Sequence, residues 1–202
     1  MDRDTDLNEK LRQTAREIAT VESEERTLGL SVLYDLTAER LVRLAATITR
    51  HQQDSEDAVS AALVKLAARP QLLISADRPW HYVLRMVRNE SLVILRSRGR
   101  WTSIGRLADR LVGRAADVVA QRDESRHIWD ALSNIPGRQR EVVVLKIWEQ
   151  MTFAEIGEVL DITPSTAASR YRYALEKLSR HLRPHFESTR QENDVVGSGV
   201  AQ

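Results

Sequence analysis

Two groups of side chains in this sequence have the types and spacing to act on a polyanion. Between Thr152 and Leu182 lie Ser165, Thr166, Ser169, Arg170, Arg172, Tyr173 and Lys177. Short hydroxyls followed by arginines can bond phosphate oxygens and guanine edges when the start of a helix enters a major groove. The second group is Arg78, Arg85, Arg88, Arg96, Arg98 and Arg100, opposed by a lone Glu90 and interleaved with Trp80, Tyr82 and Trp101. Cations track phosphates while unpaired bases stack on rings, which is what single-stranded or melted DNA requires. An aromatic at helical spacing is more often core, so the arginines are the stronger signal. Metal chemistry has little support. Glu155 with Glu158, or His181 with His185, lacks a third ligand or a motif, and with no cysteine in the chain thiol catalysis, disulfides and thiolate zinc are excluded. No enzyme activity and no cofactor are expected.

The first group needs a helix that presents its N-terminus, and the local sequence supplies one. Thr152 with Glu155 three residues on makes a capping box, and Phe153, Ile156, Val159 and Leu160 mark one face of a first helix. Asp161 stands where the chain must turn, because Asp tolerates a left-handed backbone better than most residues. Thr163 then caps a second helix whose first position suits Pro164. Ala167, Tyr171, Ala174, Leu175, Leu178 and Leu182 recur at helical intervals as its core face. Two helix starts a dozen residues apart, joined by a tight turn, predict a helix-turn-helix.

The rest of the chain sets the frame. Its 202 residues are 42% hydrophobic, glycine and proline are scarce, and no alternating strand pattern lasts, so an all-α protein is expected. The net charge of +1 gives no general affinity for nucleic acid; the signal is local. No apolar run reaches membrane-spanning length and the charged N-terminus is not a signal peptide, which predicts no membrane insertion and a cytoplasmic protein. Five stretches are read. Residues 1–27 form an acidic extension with Leu7, Leu11, Ile18 and Val21 thinly spaced, read as a frayed or partner-dependent helix. Residues 28–101 form a helical domain. It holds a first core helix (Leu33, Leu36, Leu41, Leu44, Ala45, Ile48) and a second that ends at Pro70, with Asp54, Glu56 and Asp57 at its start, where the helix dipole favours negative charge. A loop, residues 71–79, leads to the arginine-rich helix. Residues 102–124 read as a linker, 125–183 as the helix-turn-helix domain and 184–202 as a flexible tail.

The order of these parts resembles the bacterial sigma factors of the extracytoplasmic-function (ECF) group, in the sigma-70 family. The closer match is Ile135-Pro136, Arg138-Gln139-Arg140-Glu141-Val142, Thr152, Glu155 to Thr163 and Ser165 to Leu175, where the family writes leucine-proline, RQREV, an EIAEVLGIS helix and a GTVKSRLHRAL recognition helix. Earlier, Asp54 to Ala67 corresponds to DAEDLVQEVFLRLW, and Tyr82 to Ser97 to WLYRIARNLAIDLLRR, with Asn89 and its flanking arginines retained. Departures are Ser60-Ala61 for the family's Gln-Glu, Val93 for an aspartate and Ala168 for a basic residue. The resemblance implies two small helical domains, called regions two and four, joined by a linker. It implies core RNA polymerase and promoter DNA as partners, with transcription initiation as the function. Asp54, Asp57, Ser60, Ala61, Leu63 and Val64 would lie on the polymerase-docking helix. Arg78, Trp80, Tyr82, Arg85, Arg88, Asn89 and Arg96 would hold the opened strand, and the helix-turn-helix would grip the upstream duplex. Family members are often held by an anti-sigma factor, which adds such a protein to the expected partners. A stand-alone regulator could use the same second domain, but the first lacks the strand-helix alternation of a receiver domain.

Overall fold

The computed structural model describes residues 3–21, 26–101 and 123–197, and among these every regular element is helical. The first domain contains α1 (Arg3–Thr20), α2 (Arg26–Thr49), α3 (Gln52–Ala68), α4 (Gln71–Ile74) and α5 (Pro79–Trp101). The second contains α6 (Asp123–Ser133), α7 (Gly137–Ile147), α8 (Phe153–Leu160) and α9 (Pro164–Gly197). Most of the expected linker, with the side chains of Arg100, Trp101 and His185, lies outside the described residues.

In the first domain α2, α3 and α5 pack as a three-helix core. Leu33, Leu41, Leu44 and Ala45 of α2 meet Ala58, Val59, Ala62, Leu63 and Leu66 of α3 and Trp80, Val83, Leu84 and Val87 of α5. Leu36 is only half-buried. The N-terminal helix corrects the sequence reading. It is not frayed for want of a partner: Leu7, Leu11, Ala15 and Ile18 are buried, and α1 packs on α2, α4 and α5. Three large apolar side chains contribute about 1.5–3 kcal/mol each on burial, so the thin stripe suffices once a surface is supplied from the same chain. Gly29 admits this approach, since a Cβ there would stand 2.3 Å from Ile18 Cγ1. The loop expected at 71–79 also holds the short helix α4, which buries Leu73.

In the second domain a smaller cluster of Trp129, Ala131, Leu132, Ile135, Val143, Ala174 and Leu178 joins α6, α7 and α9. Leu175, expected in the core, is 41% exposed. The last helix does not stop at Pro184; its backbone continues to Gly197. Among the described residues three non-glycine residues have positive φ, Arg50, Gln150 and Asp161, and each follows a helix and turns the chain. The two domains pack on each other, α2 against α7 and α5 against α8. Val142, Val144, Leu145, Met151, Ile156, Val159 and Leu160 of the second belong to the same buried cluster as the three-helix core of the first.

Candidate nucleic-acid interfaces

The helix-turn-helix forms as its local chemistry dictates. Thr152 Oγ1 accepts from Glu155 N at 3.3 Å, and the Glu155 carboxylate accepts in return from Thr152 N at 2.8 Å. Burial pushes the Glu155 carboxyl up, but bonds from the Thr152 amide and hydroxyl, with the charges of His81 and Arg78, more than offset this and leave it below 4.5. Asp161 turns the chain with φ 57° and ψ 53°, a left-handed residue where glycine is usual. Glycine stands instead at Gly157, where a Cβ would meet the Ile162 carbonyl oxygen at 2.6 Å. Thr163 Oγ1 accepts from Thr166 N at 3.1 Å and starts α9.

On α9 the expected groups are not equivalent. Ser165, Arg172 and Tyr173 are exposed, while Thr166, Ser169, Arg170 and Lys177 are half-buried. Two hydroxyls are engaged within the helix: Thr166 shares a hydrogen with Thr163, and Ser169 donates to the Ser165 carbonyl at 2.9 Å. The Arg172 guanidinium lies 5.1 Å from the centre of the Tyr173 ring, which leaves a flat cationic surface facing outward. Inward, Tyr171 packs on Phe153 and so fixes α9 against α8.

The arginine-rich helix α5 has two polar faces. Tyr82, Arg85, Asn89 and Arg96 follow one another at helical spacing along the solvent side; the last three are exposed and Arg85 lies 5.6 Å from the Tyr82 ring. The other face meets the second domain. Arg88 Nε donates to Glu141 Oε2 at 2.6 Å, Arg78 Nη1 to Glu155 Oε1 at 2.9 Å, and His81 Nδ1 lies 3.3 Å from Glu158 Oε2. Trp80 corrects the expectation that its ring meets a base: it is fully buried, its Nε1 donates to Glu149 Oε2 at 3.0 Å, and Arg40 stacks 4.3 Å from its centre. Its spacing was that of a core residue, and the core won.

On α3 the expected docking residues divide by face. Asp57 and Ser60 are exposed, Val64 is 60% exposed and Ala61 half-buried, at the i, i+3, i+7 and i+4 positions of one outward stripe. Asp54 and Leu63 do not belong to it. Leu63 is core, and Asp54, 6% exposed, holds Arg98 Nη2 at 2.7 Å. The chain begins α3 at Gln52, before the acidic residues, so Asp54 falls on the inner side of the first turn.

Sequence reading missed the residues that join the domains: Arg40, His81, Glu141 as an ion-pair partner, and Glu149. Glu149 is buried, and its Oε2 also accepts from Arg40 Nη2 at 2.5 Å. A lone carboxylate after the apolar run of α7 was the one available hint. Arg140 of the matched motif is structural: burial first, then Arg50, lowers its pKa to about 10, which leaves it cationic, and its Nη1 donates to the Leu132 carbonyl at 3.3 Å. Among the described residues no group of three or more His, Cys, Asp or Glu is placed to hold a metal. None of the described helices is long and apolar enough to cross a membrane.

A helix-turn-helix domain stands behind a three-helix domain with a cationic, aromatic-bearing helix, and comparison with known proteins gives this order of parts its family. Residues 33–100 match the model of sigma-70 region 2, and residues 125–178 match that of sigma-70 region 4. The chain is 28% identical over 182 residues to the ECF RNA polymerase sigma factor SigK of Mycobacterium ulcerans, covering 87% of this chain and 93% of that protein. It is 25% identical over 147 residues to the RNA polymerase sigma-E factor of Streptomyces avermitilis, covering 70% and 78% of the two. The fold is shared with CnrH, solved in complex with the cytosolic domain of CnrY, at a TM-score of 0.58 and 20% identity over 86% of this chain and 97% of that one. The chain belongs to the sigma-70 family and is a sigma factor of its ECF group. Two regions of one family in their family order set aside the stand-alone regulator.

Proposed function

We propose that this sigma factor binds core RNA polymerase through the outward stripe of α3 and divides promoter recognition between its two domains. Asp57, Ser60, Ala61 and Val64 form the docking face. The start of α9 enters the major groove of the upstream element, with Ser165, Arg170, Arg172 and Tyr173 toward the DNA and Lys177 on the flanking phosphates. Tyr82, Arg85, Asn89 and Arg96 of α5 hold the opened downstream strand, and Arg78 and Arg88 add to that surface when the second domain moves off it. Melting is then driven by binding: contacts made only with unpaired bases offset lost stacking, so no nucleotide hydrolysis is needed. The observation that carries this reading is that each family-matched segment presents one exposed cationic helix face, on α5 and on α9. An anti-sigma protein is a further partner by analogy with the solved CnrH complex, and the work is done in the cytoplasm.

The test uses the full chain assembled with core polymerase and a promoter selected from a randomised duplex pool. Arg170→Ala and Arg172→Ala should each weaken duplex binding by about 1–3 kcal/mol if the arginine reads a base. Arg85→Ala and Arg96→Ala should spare the duplex and weaken binding to the same promoter with its downstream strand unpaired. Wild-type binding by all four variants, at one fixed salt concentration, would overturn the assignment.

A further inference from the structure

Pro79 opens α5 without an amide, and the Arg78 side chain before it offers donors only while its carbonyl oxygen takes the Tyr82 amide at 3.2 Å, so the first amide in need of an acceptor is that of Trp80. Its acceptor comes from another helix: Asn8 Oδ1, on α1, lies 2.7 Å from Trp80 N. One turn further along α1, Arg12 Nη2 donates to the carbonyl oxygens of Ala76 at 3.2 Å and Asp77 at 2.7 Å, the loop that delivers the chain to α5. Leu7 and Leu11 on the same helix are buried, which anchors both polar groups. The loop and the first two turns of α5, together with Glu158 of α8, line an open groove of about 460 Å³ that includes Asp77, Arg78, His81, Tyr82 and Arg85. The α1 helix precedes residue 33, where the match to region 2 begins.

We propose that Asn8 and Arg12 are positioning residues for strand capture: α1 caps α5 from outside and holds the 75–78 loop, fixing the groove beside Tyr82 and Arg85 without touching DNA. This rests on the reading of α5 as the single-strand surface. Capping and the two charge-assisted bonds fix the first turn of α5 and the path of the 75–78 loop, and so the shape of the groove beside Tyr82 and Arg85; loss of these bonds frees the loop and frays that turn, while the buried Val83, Leu84 and Val87 hold the rest of the helix. The extension outside the family-matched region would thus serve promoter opening.

The experiment uses wild-type and variant full-length chains bound to bacterial core polymerase. The probes are a forked DNA selected from a randomised pool by the wild-type holoenzyme and the same sequence as continuous duplex. Arg12→Ala and Asn8→Leu should weaken binding to the fork by roughly tenfold, the loss expected for a helix cap with its supporting bonds, and leave the duplex within twofold. Asn8→Asp keeps an acceptor for the Trp80 amide and should bind the fork as the wild type does. Gln13→Ala, at an exposed position whose amide donates to Glu17 on the solvent side of α1, should change neither. The idea is overturned if Arg12→Ala and Asn8→Leu bind the fork normally, or if they lose fork and duplex alike, which would make α1 merely a support of the fold. If wild-type holoenzyme itself shows no preference for the fork, the reading of α5 fails first and this inference with it.

Discussion

Replacing Glu149 by alanine removes one carboxylate oxygen on which three donors converge: Arg40 Nε at 2.9 Å, Arg40 Nη2 at 2.5 Å and Trp80 Nε1 at 3.0 Å. Glu149 is in the second domain and its partners are in the first, so the change acts on the contact between them. Breaking a buried pair by removing one partner costs up to about 3–5 kcal/mol, because the remaining charge loses a counter-ion in a place of low hydration. Two features reduce this here. The Arg40 side chain is 23% exposed and recovers some hydration, and Glu149 Oε1 is buried with no partner, a desolvation cost that the mutation relieves. Against that, the indole N–H of Trp80 loses its acceptor, at about 1 kcal/mol. The expected loss is therefore about 2–4 kcal/mol. Urea unfolding of the full chain, followed by tryptophan fluorescence, measures it. A double-mutant cycle with Arg40→Ala should return a coupling of about 1–3 kcal/mol. A Glu149→Ala chain as stable as the wild type, with coupling under about 0.5 kcal/mol, would refute the view that this cluster fastens the domains together.

Other perturbations test the site more locally. Asp161→Gly should leave stability unchanged or raise it slightly, whereas Asp161→Ala, held at φ 57°, should lose about 1 kcal/mol by thermal unfolding. Thr152→Ala should cost about 1 kcal/mol at pH 7 in urea unfolding. Glu155 has a folded pKa below 4.5, so its contribution is complete at neutral pH and disappears as pH falls through that lowered value; the deficit of Thr152→Ala should shrink when unfolding is repeated below pH 4.5. Restoring Gln at Ser60 and Glu at Ala61, on the outward stripe of α3, should tighten association with core polymerase in a titration. No change would move the docking face elsewhere.

The helix-turn-helix was legible because its determinants are local: a cap and its glutamate lie three residues apart, and the turn depends on one residue's tolerance of positive φ. The cationic character of α5 was legible from its composition, but not which of its groups face solvent: Arg85, Asn89 and Arg96 do, while Arg88 pairs with Glu141. What could not be read were choices between two partners equally compatible with a period. Trp80 sits on the core stripe of α5 and in a run of arginines, and its burial is settled by distant partners: Arg40 over its ring and Glu149, 69 residues away, on its indole N–H. Asp54 looked like an exposed helix-start acid until Arg98 folded back onto it. The α1 helix has too few apolar residues to stand alone, and its burial depends on a surface completed by α2, α4 and α5. Arg40 and Glu149 pair across 109 residues, and beyond the lone carboxylate after the apolar run of α7 their own surroundings carried no sign of it.

The shared core between the domains makes the chain's stability and its availability opposing quantities. A partner that takes only the parted form, because it must reach the Arg88 face, binds in proportion to the fraction already parted. Every 1.4 kcal/mol or so by which closure is favoured lowers that apparent affinity about tenfold. Substitutions that harden the contact around Glu149 should therefore raise the unfolding temperature while slowing capture by such a partner. Those that soften it should do the reverse, so the most heat-resistant variant of this protein need not be its most active.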